Sequence, residues 1–348
     1  MTLPRLSTII NKRLTIEGHL PESFERGLEM IGVLEKVNPT SEALKILNSS
    51  KEELPELLDT VYQIRKRYKG NTVSVQLLTN ARSGNCTQDC TYCAQSCRSD
   101  ADIEKYSFVS DEKLRRDSNL IQEKHLARHC IGLSGMYFND SQIEALAEQI
   151  KRLKEETQKP ICCSIGFLTY DQALMLKNAG LDRINHNLNT SRKYYPNICT
   201  THTFEQRVAN IKMLQGMGYE ICCGGIVGLG ESVEDVADML LEIQAINPQA
   251  VPINFLIPIC GTPLERANIS HLTPEYCLKV LCLARLLLPQ ADIRCAGGRE
   301  IYLKGYEKWM FYAVDSIFAS GYLTADGQSI EDTIKMITDA GFEYRIEE

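Results

Sequence analysis

Residues 160–188 read PICCSIGFLTYDQALMLKNAGLDRINHNL, and they contain one complete repeat of the fold. Pro160 to Ile165 is a short apolar run, bounded by proline and glycine, that predicts a buried strand. Thr169 with Gln172 three residues later is a capping box, which predicts a helix opening there and closing at Gly180. Asp182 to Leu188 is the next strand. Two strands joined through a helix are parallel neighbours, because a crossover of that length cannot make a hairpin.

The same alternation extends in both directions. Upstream lie strands at Val73 to Leu78 and Ala127 to Leu133, the latter followed by a helix with one apolar stripe of Ile143, Leu146, Ala147, Ile150 and Leu153. Downstream, Thr203 and Gln206 cap a helix that Gly218 closes, and Glu220 to Val227 is the fifth strand. A helix with Val236, Met239, Leu240 and Ile243 leads to the sixth strand, Val251 to Ile257. Thr273-Pro274 opens the following helix, Ala291 to Ala296 is a seventh strand, and Ser316-Ile317-Phe318 supplies the eighth. A last helix runs from Ile330 to Thr338. No composition break interrupts these units, so the predicted fold is α/β, a parallel (β/α) barrel of the TIM type over residues 71–348. Residues 1–70 are charged and helical, with Leu54-Pro55 opening one helix, and read as an N-terminal extension that caps one barrel end.

With 44% hydrophobic and 24% charged residues, the 348-residue chain has the composition of an ordinary globular protein with a sizeable core. A net charge of −7 argues against a nucleic-acid or anionic-membrane surface. The start, Met1 to Ser7, lacks the apolar core of an export signal, and no window reaches membrane-spanning length. Fourteen cysteines in such a chain predict a reducing cytoplasm and metal or redox chemistry rather than disulfides.

Four of those cysteines, Cys86, Cys90, Cys93 and Cys97, fall within twelve residues. The first three form C-x3-C-x2-C, with Tyr92 just before the last. Crowded thiolates suit zinc or an iron–sulfur cluster. A closed zinc site wants a second C-x2-C pair, and none occurs. Three ligands on one loop suit a 4Fe–4S cube with one iron left open to a small molecule. If Cys97 were the fourth ligand the cube would be closed, but the run departs from the ferredoxin pattern in starting C-x3-C and ending on Arg98. Cys97 is read as a non-ligand.

The cysteine loop resembles that of the radical S-adenosylmethionine superfamily. Ala94-Gln95-Ser96, Asn185-His186-Asn187-Leu188, Gly224 to Glu231 and Val251-Pro252-Ile253-Asn254, in that order, resemble the biotin synthase family within it, from about Val73 to about Phe342. The resemblance implies a 4Fe–4S cluster on Cys86, Cys90 and Cys93, and S-adenosyl-L-methionine beside it, with Tyr92 against the cluster. Gly224, Gly225, Ile226 and Glu231 match the word that holds S-adenosylmethionine, the glycines allowing approach to a flat adenine. Gly132 to Gly135 is a looser match to the amine-binding segment.

Cys130, Cys162 and Cys222 on three strands match positions that bind an auxiliary cluster, and Arg294 matches its unusual arginine ligand. The family precedent is 2Fe–2S. Cys163, Cys223 and Cys295 next to those positions, and Cys260, leave a four-iron cluster with extra sulfide open as well. Strand alternation places Cys163 and Cys223 outward. Asn185, Asn187 and Asn189 alternate along the fourth strand and so share an inward face that implies a polar ligand, S-adenosylmethionine or substrate. Asn254 matches a residue that contacts the substrate's cyclic urea, and Asn187 is grouped with it. His186 and His129 are read as structural.

The implied reaction is sulfur insertion into dethiobiotin, begun by a 5′-deoxyadenosyl radical and supplied with sulfur by the auxiliary cluster. A flavodoxin or ferredoxin is the implied electron donor, and a homodimer the implied assembly. A hydrogenase maturase or methylornithine synthase type of barrel would share the cube but not the set of Cys130, Cys162, Cys222, Arg294 and Asn254. A non-catalytic iron–sulfur carrier would explain the cysteines but neither the glycine word nor the inward amides.

Overall fold

The computed structural model describes residues 39–345 without a break, together with positions 22, 25–27, 29, 30 and 32. Much of the expected N-terminal extension lies outside the described residues. The described chain opens with α1 (Pro39–Leu47) and α2 (Leu54–Lys69), and then alternates. Its first half runs β1 (Thr72–Arg82), α3 (Asp111–Glu123), β2 (Arg128–Leu133), α4 (Asp140–Thr157), β3 (Ile161–Ser164), α5 (Tyr170–Asn178) and β4 (Arg183–Asn185). The second runs α6 (Phe204–Gly216), β5 (Glu220–Cys222), β6 (Gly225–Val227), α7 (Val233–Ile246), β7 (Ala250–Phe255), α8 (Pro274–Leu287), β8 (Asp292–Cys295), β9 (Ser316–Ala319), α9 (Ile330–Asp339) and β10 (Glu343–Tyr344).

The strands pair in parallel in chain order, and β9 returns to β1 through Ser74↔Ser316 and Leu77↔Ala319, so the barrel closes. The expected fifth strand is two pieces: β5 pairs with β4 along its length and with β7 at Cys222↔Ala250, and β6 pairs with β7 through Gly225↔Ile253 and bridges Asn189 at Gly225. The break falls at Cys223-Gly224, where a Cβ on Gly224 would lie 1.9 Å from the Pro252 carbonyl oxygen. Counting β5 and β6 as one gives eight staves; β10 lies outside them, on the start of β1. The capping boxes at Thr169 and Thr203 form as the spacing predicts, and Asn139 and Ser232 cap α4 and α7 in the same way. Each such cap is worth about 1 kcal/mol.

Two buried arginines knit the N-terminal mouth of the barrel. Arg285 donates to the carbonyls of Pro289, Ala291 and Ala313 and pairs with Asp315, which also accepts from the Ile293 amide at 3.0 Å. Arg65 of α2 donates to the carbonyls of Gly70, Thr72 and Val314. α2 packs on α8, and α1 on α7 and α8. The described part of the extension therefore sits outside the helix ring and at the N-terminal mouth, away from the cysteine loop.

The main apolar core lies between strands and helices. Inside the barrel is a separate cluster of Cys130, Cys162, Cys222 and Ala250, flanked by Leu78 and Phe318. Alternation along the strands separates the cysteine pairs. Cys163, Cys223 and Cys295 belong to the helix-facing core, and none borders the barrel interior.

Candidate active site

A cavity of about 380 Å³ enters the barrel at its C-terminal mouth. Cys86, Cys90 and Cys93 line it at one end, Cys130, Cys162, Cys222 and Arg294 at the other, with Asn185, Asn187, Asn189, Ile226 and Asn254 along the wall. The volume is in the range of small-molecule sites.

The cysteine loop is folded by its own backbone. Cys86 N donates to Gln95 O at 3.2 Å and Cys97 N to Gln88 O at 2.9 Å. The Gln95 side chain accepts from Gly84 N at 3.0 Å. Asp89 anchors the loop to the turn before α6, accepting from the amides of Thr200 and Thr201 at 2.9 and 3.2 Å. Those hydrogen bonds overcome burial and hold its carboxyl far below the usual range. Cys97 is exposed and outside the cavity. Burial pushes the Cys86 thiol up and that of Cys93 up to about 11. Without a metal these groups hold their protons, and iron would displace them.

At the floor, register puts Cys130 beside Cys162 and Cys222 beside Asn185. The three thiols crowd together, Cys130 Sγ donating to Gln76 Oε1 at 3.3 Å, and their proximity draws Cys130 down while Cys162 rises to about 12. Arg294 lies under them, its Nη1 3.9 Å from Cys222 Sγ and its Nε donating to Ser316 Oγ at 2.8 Å. The guanidinium sits 4.8 Å from the Phe318 ring centre, and its Nη2 is buried without a hydrogen-bond partner. Three converging thiols and a guanidinium nitrogen left unpaired in a dry site fit an anionic sulfide-bearing cluster, because an unmatched buried charge is otherwise expensive. Arg183, which pattern reading passed over, is a second buried cation on β4 beside Cys162, and it is paired with Glu220 at 2.8 Å.

The wall is a ladder of amides. Asn185 accepts from Ser164 Oγ at 3.2 Å and donates to Asn187 Oδ1 and Cys222 Sγ at 3.1 and 3.2 Å. Asn187 Oδ1 also accepts from Gly224 N at 3.0 Å, and Asn189 Nδ2 donates to the Tyr92 hydroxyl at 2.7 Å. Asn254 bridges Gly225 O at 3.2 Å and Gly297 N at 3.0 Å.

The glycine word is tightly packed against its neighbours. A Cβ on Gly224 would strike β7 and one on Gly225 the Met239 sulfur at 2.1 Å, so both glycines serve sheet and helix packing. Glu231 turns back to accept from Gly228 N at 2.7 Å and does not border the cavity, which leaves Ile226 as the member of the word that does. His186 was expected to point away. Strand geometry ends at Asn185, however, and His186 borders the cavity edge-on to Phe167, with neither ring nitrogen hydrogen-bonded to a side chain among the described residues. His129 stays structural, 2.8 Å from Thr79 Oγ1.

Sequence reasoning also missed Cys199, His202 and Arg207. They stand beside Cys90, over a hundred residues from it in the chain, and no local spacing signals them. Arg207 donates to the Tyr195 hydroxyl at 2.5 Å and to His202 Nε2 at 3.3 Å.

A closed parallel barrel with a three-cysteine loop at its C-terminal mouth defines a radical S-adenosylmethionine enzyme, and residues 81–243 match the Radical SAM superfamily. Residues 252–343 match the Biotin and Thiamin Synthesis associated domain. The chain belongs to the biotin synthase family. It is 41% identical over 302 residues to biotin synthase of Geobacillus kaustophilus, covering 87% of this chain and 90% of that one. It is 39% identical over 309 residues to biotin synthase of Acaryochloris marina, covering 89% of each. Among solved structures, methylornithine synthase superposes with a TM-score of 0.78 at 19% identity, over 92% of this chain and 97% of that one. The FeFe-hydrogenase maturase of Carboxydothermus hydrogenoformans gives 0.77 at 16%, over 98% and 82%. At such identities these two show the fold alone. A 4Fe–4S cluster and S-adenosylmethionine are the cofactors of this radical chemistry.

Proposed function

We propose that this enzyme inserts sulfur into dethiobiotin to close the thiophane ring of biotin, with the cube on Cys86, Cys90 and Cys93 and an auxiliary iron–sulfur cluster on Cys130, Cys162, Cys222 and Arg294. The observation that carries the reading is one cavity with a thiol trio at each end and amides between them. When bound, the cube with S-adenosylmethionine supplies a 5′-deoxyadenosyl radical able to take hydrogen from an unactivated carbon, and the auxiliary cluster supplies sulfur.

The chain's own groups hold and orient. Asn254 has its amide plane fixed by Gly225 and Gly297, which leaves one N–H and one oxygen lone pair for a cyclic urea. Asn187 keeps its Nδ2, and Asn189 its oxygen, without a partner among the described residues. Leu133, Phe318 and Tyr322 border the same space and exclude water from it. Arg294 offsets negative charge at the floor. Three thiolates with Arg294 beside them suit a two-iron or a four-iron cluster equally, and an iron and sulfide count separates the two. A flavodoxin or ferredoxin as electron donor, a homodimer and a cytoplasmic setting complete the reading. Among the described residues no helix is long and apolar enough to cross a membrane.

The test is anaerobic incubation of the cluster-loaded, reduced protein with S-adenosylmethionine. Dethiobiotin should raise 5′-deoxyadenosine release and be converted to biotin. Release indifferent to dethiobiotin would return the chain to the maturase or methylornithine synthase type of chemistry.

A further inference from the structure

The donor atoms of Cys90, Cys199 and His202 all lie within 4.8 Å of one another, and all three residues are buried. They come from two places: the cysteine loop, and the segment between the helical turn Tyr195–Ile198 and α6. Cys199 Sγ is 3.4 Å from His202 Nε2, and Cys90 Sγ is 4.0 Å from it. In a tetrahedral site with ordinary bond lengths, sulfur and nitrogen ligands stand about 3.5 Å apart.

The tautomer of His202 follows from its neighbours. Arg207 has only donors, so the 3.3 Å contact from its Nη2 makes His202 Nε2 the acceptor. In the neutral ring Nδ1 then carries the proton and donates to the Tyr195 oxygen 2.9 Å away, which Arg207 Nε fixes in turn. Nε2 is the ring nitrogen nearer to Cys90 and Cys199, with Cys199 Sγ 3.4 Å from it and 3.7 Å from Nδ1, and a metal bound there would take the place of the Arg207 hydrogen bond. The opposite nitrogen is oriented by a hydrogen bond, as in histidines that bind metals.

We propose that Cys90, Cys199 and His202 form a mononuclear site for a divalent transition-metal cation such as Fe2+ in the cluster-free chain. It shares the Cys90 thiolate with the cube, so the two occupations exclude each other. Two thiolates and an imidazole suit Fe2+, Zn2+ or Co2+, and select against Mg2+ and Ca2+. The protons displaced from the thiols leave to solvent, and no change of oxidation state is involved.

Co2+ is the probe, added to cluster-free protein carrying Cys86→Ala and Cys93→Ala, which dismantles the cube's ligand set and keeps Cys90. The deep trio is common to every sample and cancels in the comparison. Adding Cys199→Ala or His202→Ala should remove one bound equivalent of Co2+ and its thiolate-to-metal absorption, while Cys163→Ala should not. X-ray absorption of the Co2+-loaded parent should show imidazole scattering, which the all-sulfur deep trio lacks. Sulfur-only coordination in the parent would overturn the proposal even if the His202 variant fails to fold. So would unchanged stoichiometry in folded Cys199 and His202 variants, which would reduce the cluster to a thiol–imidazole hydrogen bond.

Discussion

Cys97 and Cys93 are four residues apart, yet one is exposed outside the cavity and the other lines it. Changing Cys86, Cys90 or Cys93 to alanine should abolish 5′-deoxyadenosine formation, whereas Cys97→Ala should leave it near the parent level. Product measured by chromatography decides, and loss of activity with loss of iron in the Cys97 variant would make it a ligand. Asn254→Ala removes two hydrogen bonds between neighbouring strands and loops, each worth about 1 kcal/mol. It should lower the melting temperature and weaken dethiobiotin's stimulation of cleavage together; a loss of stability with stimulation intact would assign the amide to the scaffold alone. At this scale the sequence was legible where period two operates. Cys162 and Cys163 separate to opposite faces because β3 is regular there. His186 was misjudged because regular strand stops one residue before it. Arg183, Cys199 and His202 carry no local pattern, since what makes them notable is contact with distant residues.

Among the elements, the fifth stave shows what a sequence pattern cannot specify. A glycine word announces that something approaches closely, but not which neighbour. Here it is the β7 backbone and α7, because Gly224 and Gly225 lie where β5 hands over to β6. Gly224→Ala should therefore cost about 3 kcal/mol or more through overpacking against a carbonyl that cannot yield. Gly216→Ala, at the end of α6 with no atom within 4 Å of its Cβ, should be neutral or stabilise by about 0.5–1 kcal/mol. Denaturant unfolding compares the pair. Equal stability of the two variants would contradict this account of the handover. The capping boxes, by contrast, were readable in advance because both partners lie within one helical turn.

For the whole molecule, closure of eight staves brings to one cavity residues that span Leu78 to Ala325 in the chain. The same closure buries His129 on β2 and His186 just past the end of β4. Burial lowers His129 from 6.5 to about 4 and lowers His186 as well. A folded pKa below the unfolded one means the unfolded chain binds protons first. Stability is thus complete above about pH 6.5 and is lost as pH falls toward 4, by on the order of 3 kcal/mol at most for His129. His129→Gln should flatten that acid limb between pH 7 and pH 5, read from urea midpoints; an unchanged slope would place the acid sensitivity elsewhere. The repeat of strand and helix made the barrel legible, because each unit is local. The depth of the cavity and the meeting of its two thiol trios were not, since they exist only once β9 closes on β1. The claim that this cavity joins a radical site to a sulfur source is tested most directly by one anaerobic turnover of protein whose clusters were rebuilt with heavy-isotope sulfide. Mass spectrometry should find biotin carrying the heavy sulfur, formed together with 5′-deoxyadenosine. Biotin with ordinary sulfur, or 5′-deoxyadenosine without biotin, would contradict it.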